Sequence, residues 1–277
     1  MDLNQDIQTL VQQALQEDVQ TGDITAQLIS EDKQAQATVI SREQAVICGC
    51  AWFETVFQQL DDTIKIKWEV QDGDQVEPEQ ILCHIQGNAR HLLTGERSAL
   101  NFLQLLSATA TETQRYVQLI SHTKAHILDT RKTIPALRTA QKYAVHCGGG
   151  QNHRMGLYDA FLIKENHILA TGSIAKAVEN ARQLAPQLPV EVEVESLPEL
   201  KEALDTGVER ILLDNFDIPS LKLAVAMTKG KASLEASGNV NLETITDIAE
   251  TGVDFISIGA LTKNVTAIDL SMRIKTS

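Results

Sequence analysis

The feature that most constrains this chain is a recurrence. Short apolar runs, AHILD (125–129), AFLIK (160–164), VEVEV (190–194), RILLD (210–214), ASLEA (232–236) and DFISI (254–258), alternate with stretches whose apolar residues share one helical face, such as Ile174, Ala177, Val178, Ala181 and Leu184. Alternating β and α segments build a parallel sheet with helices outside it. Two units, ALDTGVERILLDN and IAETGVDFISIGA, echo each other, and Gly207 and Gly252 supply the left-handed residue that ends each helix. Each run ends, on its C-terminal side, in polar, charged or glycine residues: Asp129-Thr130-Arg131-Lys132, Lys164 to His167, Glu193 to Glu195, Asp214-Asn215, Glu235 to Asn239, and Ser257-Ile258-Gly259. In a closed barrel those ends converge on one pocket. An open doubly wound sheet gathers them only near its switch point.

The chain before residue 120 follows other periods. Leu3, Ile7, Leu10, Val11, Ala14 and Leu15 predict an amphipathic helix over 3–17, broken at Gly22-Asp23. Ala35, Ala37 and Val39 alternate with polar residues, as do Ile64, Ile66, Trp68 and Val70, which predicts half-buried antiparallel strands. Asp72-Gly73 turns the chain before a short strand over 81–85. A helical period then runs from about His91 to Ile120, and the domain boundary falls within or just after it.

Charge decides what the rim of strand ends is for. The 277 residues include 24 basic and 37 acidic side chains, a formal charge of −13. A field of that sign opposes nucleic acid and anionic lipid. Yet Arg131, Lys132 and Lys164 stand at run ends, and His153 and Arg154 follow the Gly148-Gly149-Gly150 loop. Basic groups converging on one partly desolvated mouth repel one another unless an anion joins them. Two carboxylates, Glu193 and Asp214, cannot neutralise them, so a polyanionic ligand is expected. Glu193 and Asp214 fall where barrel sites place catalytic or metal-binding carboxylates. Glu191 and Glu195 read as ordinary strand residues. Ser237-Gly238-Asn239 and Ser257-Ile258-Gly259 offer small side chains and free backbone N–H groups before helices, which suits phosphate. Neither GxxxxGK[ST] nor a strand-linked GxGxxG occurs, which argues against a P-loop or a Rossmann site. The histidines lack zinc spacing.

Cys48, Cys50, Cys83 and Cys147 form no CxxC pair and read as reduced, mostly buried thiols. That fits the cytosol. The first residues show neither a cationic nor an apolar leader region, and no apolar run approaches the ~20 residues of a membrane span. A cytoplasmic protein without membrane or nucleic-acid partners is expected.

Taken together, ALQEDVQTGDITA, GERSALNFLQLLSATAT, LDTRKTIPALR, HCGGGQNHRMGLYDAFLIKENH, VEVEVES, ILLDN, LEASGN and ISIGALT resemble the quinolinate phosphoribosyltransferase family, the carboxylating nicotinate-nucleotide pyrophosphorylases. These stretches span residues 14 to 262. One departure is visible: Lys263 stands where the family often carries His after GALT. The resemblance implies an N-terminal α/β open sandwich over 1–110 and an incomplete, seven-stranded α/β barrel over 111–265. This is the type II phosphoribosyltransferase architecture, with segment 266–277 returning to the first domain. It implies a homodimer, or a hexamer built as a trimer of dimers, in which Arg97 enters the neighbouring subunit's site.

The implied reaction joins quinolinate to 5-phosphoribosyl-1-pyrophosphate with Mg2+, giving nicotinate mononucleotide, pyrophosphate and CO2 in de novo NAD biosynthesis. Under the resemblance, Arg131, Arg154 and the donated Arg97 hold the carboxylates of quinolinate. Thr130 binds substrate beside them. His153 and Lys132 sit between the dicarboxylate and the pyrophosphate, and Lys164 neutralises the leaving pyrophosphate. Glu193 and Asp214 bind the ribose hydroxyls, directly or through Mg2+. The Ser237-Gly238-Asn239 and Ser257-Ile258-Gly259 turns hold the 5′-phosphate.

Three other readings start from the same residues. A relative within phosphoribosyl transfer would act without decarboxylation. A Schiff-base aldolase would use Lys164 as a desolvated barrel lysine. VQDGDQVEPEQIL resembles half of a biotinyl hammerhead, but no lysine lies in a hairpin-tip context.

Overall fold

The computed structural model describes residues 3–276. It forms two units, one of Met1–Glu112, Thr139–Gly148 and Asn264–Ser277, the other of Thr113–Arg138 and Gly149–Lys263.

The first unit begins with α1 (Leu3–Val19), which buries Ile7, Leu10, Val11 and Leu15 on one face. The strand β1 (Gln34–Ser41) buries alternate residues Ala35, Ala37 and Val39. After β2 (Ala45–Val46) comes α2 (Cys50–Leu60), and then β3 (Lys65–Trp68), β4 (Gln75–Val76) and β5 (Ile81–Asn88). The C-terminal strand Leu270–Thr276, β1, β5 and β3 form one antiparallel sheet in that order. The strand expected over 81–85 thus runs three residues further. Gly87 permits the sheet's close contact with Ile64, since a Cβ there would lie 2.6 Å from the Ile64 side chain.

Asp72 ties this unit together. Its Oδ1 accepts the N–H groups of Gly49 and Cys50 at the start of α2 (2.9 and 3.0 Å), and its Oδ2 accepts the Tyr143 hydroxyl at 2.9 Å. A carboxylate is a strong acceptor for the unpaired donors of a helix start. Sγ of Cys48 and Cys147 lie within 4.8 Å of each other and of Asp72. The 31-residue α3 (Ala89–Leu119) follows β5 and belongs to this unit as far as Glu112.

The second unit carries β6 (His126–Leu128), and α4 (Arg138–Cys147) follows it in the chain. The Thr139–Gly148 stretch of that segment groups with the first unit. Next come β7 (Phe161–Ile163), α5 (Glu165–Thr171), α6 (Ile174–Leu184), β8 (Val190–Val194), α7 (Leu197–Asp205), β9 (Arg210–Asp214) and α8 (Ile218–Thr228). The unit ends with β10 (Ser233–Ser237), α9 (Ile245–Ala249), β11 (Phe255–Ser257) and α10 (Ala260–Lys263). The strands form a parallel sheet in the order β6-β11-β10-β9-β8-β7. All six apolar runs are strands.

Among the described residues of this unit six strands form ladders, and a seventh is reduced to one bridge, so the barrel is incomplete. Gln151 makes a single parallel bridge to Leu128 of β6, and β6 and β7 do not pair. The Gly148-Gly149-Gly150 stretch just before the bridge lacks the side chains that sustain a ladder. The helices start and stop on local signals. Ser173, Ser196 and Asp217 cap α6, α7 and α8. Gly207 and Gly252 take φ of 69° and 91°, so the two echoing units do share one helix–turn–strand form.

Register fixes what faces the barrel interior. Glu191 pairs with Arg210 and Arg210 with Ser233, while one row above Glu193 pairs with Leu212, Leu212 with Glu235, and Glu235 with Phe255. In a sheet such partners share a face, and the face alternates along each strand. The intervening Val192, Val194, Ile211, Leu213, Leu234, Ala236 and Ile256 are buried apolar residues. The inward rows are therefore rich in charge, where barrels usually stack apolar layers.

Candidate active site

The C-terminal strand ends form one rim. At the end of β6, the Thr130 hydroxyl accepts the Lys132 N–H at 3.0 Å, and the Lys132 carbonyl accepts the Thr262 hydroxyl at 2.9 Å. The Lys132 side chain crosses directly over Gly259, where a Cβ would lie 2.7 Å from Lys132 Cδ. At the ends of β9 and β10, Asn215 donates to Asp214 Oδ2 at 2.8 Å, and its backbone N–H donates to the Ser237 carbonyl at 2.8 Å. At the ends of β7 and β8, Lys164 and Glu193 form an ion pair, with the Lys164 side chain 45% exposed. A lysine so paired and solvated is not the desolvated amine a Schiff-base enzyme needs, which removes the basis for the aldolase reading.

Arg131 and Arg154 carry the clearest electrostatic signal. Burial, and then the Arg131 charge, lower the pKa of the Arg154 guanidinium, so the two cations repel each other. Arg131 Nε is buried without a hydrogen-bond partner. Arg154 Nη1 donates to the Ala160 carbonyl at 3.0 Å. Two partly buried guanidinium groups that repel, one with an unused donor, match a ligand bearing two carboxylates.

His153 departs from its expected place. Its side chain is only 9% exposed, its Nδ1 accepts the Arg154 N–H at 2.7 Å, and its Nε2 lies 2.9 Å from Glu191 Oε2. Both ring nitrogens are engaged inside the barrel, so neither is offered between two rim ligands. The ring belongs to the wall of a cavity of about 530 Å³ lined also by Arg154, Glu191 and Arg210. That cavity also touches Phe161, Val190, Arg210 and Ser233, the first residues of four strands, so it lies at the end opposite the rim.

The two small-residue turns also differ from expectation. The Ile258 N–H donates to the Leu128 carbonyl at 2.9 Å and is not free for a phosphate, and Ser257 and Ile258 are buried. The helix after them, α10, has only four residues. After Ser237-Gly238-Asn239 a loop runs to Ile245 before α9 begins. Gly238 and Asn239 both take positive φ, 96° and 53°, and Asn239 Nδ2 donates to Asn215 Oδ1 at 3.3 Å. Backbone in this conformation can still cradle an anion. A Cβ on Gly238 would lie 2.1 Å from Asn215 Oδ1, so only glycine fits there.

Glu193 and Asp214 are half-buried oxygen donors on neighbouring strands, each already holding one polar partner. Such a pair suits Mg2+, which keeps several waters and takes few protein ligands alongside substrate phosphates. Arg97 lies exposed on α3 in the first unit.

Several residues of this site escape a reading by residue type. Asp129, fully buried, accepts the His153 N–H at 2.9 Å and Asn152 Nδ2 at 2.6 Å. Arg138 joins Thr133 Oγ1 to the Met155 carbonyl (3.1 Å each). Glu191 and Glu235 enclose the His153 ring. Strand alternation was the available signal for Glu191, which shares the face of Glu193.

The model of the quinolinate phosphoribosyl transferase N-terminal domain matches residues 23–107, and that of the C-terminal domain matches residues 109–273. A probable carboxylating nicotinate-nucleotide pyrophosphorylase of Synechocystis is 43% identical over 268 residues, covering 95% of this chain and 91% of that protein. A mitochondrial, decarboxylating quinolinate phosphoribosyltransferase of Nicotiana tabacum is 41% identical, covering 98% and 83%. The solved nicotinate-nucleotide pyrophosphorylase of Francisella tularensis superposes with a TM-score of 0.96 at 49% identity, covering 98% of this chain and 97% of that one.

Proposed function

The chain belongs to the quinolinate phosphoribosyltransferase family, and from that premise we propose that it transfers the phosphoribosyl group of 5-phosphoribosyl-1-pyrophosphate to quinolinate with loss of CO2, forming nicotinate mononucleotide for NAD biosynthesis. The observation that carries this reading is the Arg131–Arg154 pair. Its mutual repulsion and unused donor support a receptor for the adjacent carboxylates of quinolinate.

In this account Arg131 and Arg154 orient the ring so that its nitrogen faces the ribose anomeric carbon. A homodimer, or a trimer of such dimers, completes the receptor with the partner subunit's Arg97. Thr130 and Lys132 line the path between dicarboxylate and pyrophosphate. Lys164 leaves Glu193 for the pyrophosphate, whose negative charge exceeds that of one carboxylate. Glu193 and Asp214 hold the ribose hydroxyls and favour positive charge at the anomeric carbon. Mg2+, held between Glu193 or Asp214 and the substrate phosphates, would supply charge neutralisation of the pyrophosphate. The Ser237-Gly238-Asn239 turn takes the 5′-phosphate, with Gly259 as a second close approach.

Nitrogen attack breaks the bond to pyrophosphate and leaves a pyridinium. The bond to the adjacent carboxyl carbon then breaks, its electron pair stays on the ring carbon beside the cationic nitrogen, and a proton replaces CO2. The chain works in the cytoplasm in this reading, consistent with its free thiols and with no described helix long and apolar enough to cross a membrane.

Quinolinate labelled at the carboxyl carbon next to nitrogen tests the proposal. Labelled CO2 released in step with nicotinate mononucleotide is expected. Turnover of nicotinate in preference to quinolinate, without CO2, would favour the non-decarboxylating alternative.

A further inference from the structure

A buried acidic pair in the barrel interior is left without a task by the chemistry above. Glu235 is 0% exposed, and neither of its carboxylate oxygens has a hydrogen-bond partner. Glu191 Oε1 is likewise buried without one. Buried polar groups are almost always paired, so such orphans call for an explanation. The nearest cationic groups are His153 Nε2, 3.6 Å from Glu235 Oε2, and Arg210 Nη1, 3.8 Å from the same oxygen. Arg210 is itself held over the Phe255 ring at 4.1 Å.

The hydrogen bonds around His153 have a direction. The Arg154 amide can only donate, so Nδ1 must accept and carries no proton. The ring proton is then on Nε2, aimed at Glu191 Oε2 at 2.9 Å. The His153 amide is held by Asp129 Oδ1, and the Arg154 amide by the imidazole.

We propose that Glu191 and Glu235 are positioning residues for Arg154: together they hold His153 in its Nε2–H tautomer, and the bare Nδ1 then fixes the backbone from which the Arg154 guanidinium reaches its place beside Arg131. The inference rests on the proposed role of Arg154 as a carboxylate ligand. His153 thereby acts from behind the site. Burial, reinforced by the Glu191 charge, raises the Glu235 carboxyl well above the usual range, which favours its protonated form. Glu191 Oε2, at 2.9 Å, is the acceptor for the ring N–H.

A metal ion offers a poorer account of the same three residues. Their ligand atoms do lie within 4.8 Å of one another. An ion on Nε2, however, would move the ring proton to Nδ1, directly against the Arg154 N–H. Two donors would then face each other at 2.7 Å.

The test has one arm that needs no substitution and no substrate. Nitrogen-15 spectra of the labelled, full-length protein at neutral pH should show His153 as the neutral Nε2–H tautomer. An Nδ1–H tautomer or a doubly protonated ring would overturn the proposal, whatever the enzyme turns over. The second arm measures binding of phthalate, a dicarboxylate without the ring nitrogen, and separately of 5-phosphoribosyl-1-pyrophosphate. Glu191→Leu and Glu235→Leu should weaken phthalate on the order of 10²-fold, the scale of a misplaced binding group, and leave the second ligand within about twofold. Glu235→Gln, which keeps shape and a donor, should recover most of the loss. Equal weakening of both ligands, or of neither, would contradict a role specific to Arg154. If the leucine variants do not fold, the wild-type spectrum still decides. If wild-type protein fails to bind phthalate while His153 shows the expected tautomer, the functional reading is wrong and the hydrogen-bond assignment stands.

Discussion

The Arg131 charge, after burial, lowers the pKa of the Arg154 guanidinium, so the two like charges repel, and Arg131 Nε is buried with no hydrogen-bond partner. Repulsion of this kind weakens the fold slightly and strengthens the binding of an anion that relieves it. Arg131→Ala should therefore raise the apparent Kd for quinolinate on the order of 10²-fold, as truncation of one partner of a buried charge pair does. The melting temperature should stay level or rise. Steady-state kinetics and thermal unfolding of the variant check both halves, and near-normal turnover would remove Arg131 from the site.

Sharing of the site between subunits makes a separate prediction. Arg97→Ala and Arg131→Ala proteins should each be inactive, and subunit exchange between them should restore activity, because a mixed dimer regenerates one intact site. The measurement is turnover after exchange has been verified by native mass spectrometry. No recovery would mean that Arg97 serves its own subunit or none.

Gly238 combines positive φ with a contact no Cβ can share, 2.1 Å from Asn215 Oδ1. Gly238→Ala must push Asn215 and the turn apart. The KM for 5-phosphoribosyl-1-pyrophosphate should rise about tenfold or more, with phthalate affinity unchanged. Loss of both would place the turn elsewhere than at the phosphate.

Asp72 accepts two backbone N–H groups and one phenol hydroxyl. Asp72→Ala strands all three donors and should cost about 2–4 kcal/mol by urea unfolding. A change below about 1 kcal/mol would show that water replaces the carboxylate freely.

Glu235 links stability to pH. Burial and the Glu191 charge raise its folded pKa above the ordinary 4.5, while Ser257 and Arg210 pull the other way. The folded chain then holds a proton that the unfolded chain has released, so stability falls as pH rises from about 4.5 toward the raised value. One proton limits the slope to about 1.4 kcal/mol per pH unit. Wild-type stability relative to Glu235→Gln should decline as pH rises above the ordinary 4.5, and a flat or rising difference would show that Glu235 is ionised in the fold.

Much of this architecture was legible in the residues. The runs VEVEV and RILLD declare strands through β-branched and aliphatic content, and Thr-Gly-Val marks where two helices stop. The six runs match the six paired strands, and the seventh that the resemblance implies is reduced to a single bridge at Gln151, which follows three glycines. The grouping of Thr139–Gly148 with the first unit was not legible, since it depends on long-range packing such as the Tyr143–Asp72 bond. At the site, residue type singled out Arg131, Lys164, Glu193 and Asp214. It could not say which way His153 points, since the direction comes from Glu191 on β8 and from the Arg154 amide. Ile258 was misread because strand-end N–H groups look free until a neighbouring carbonyl, here Leu128, claims them.

The most direct test of the central claim is a crystal structure of the protein with phthalate. The account predicts its two carboxylates between the guanidinium groups of Arg131 and Arg154. Phthalate bound away from both arginines, or no phthalate at concentrations that inhibit quinolinate turnover, would contradict it.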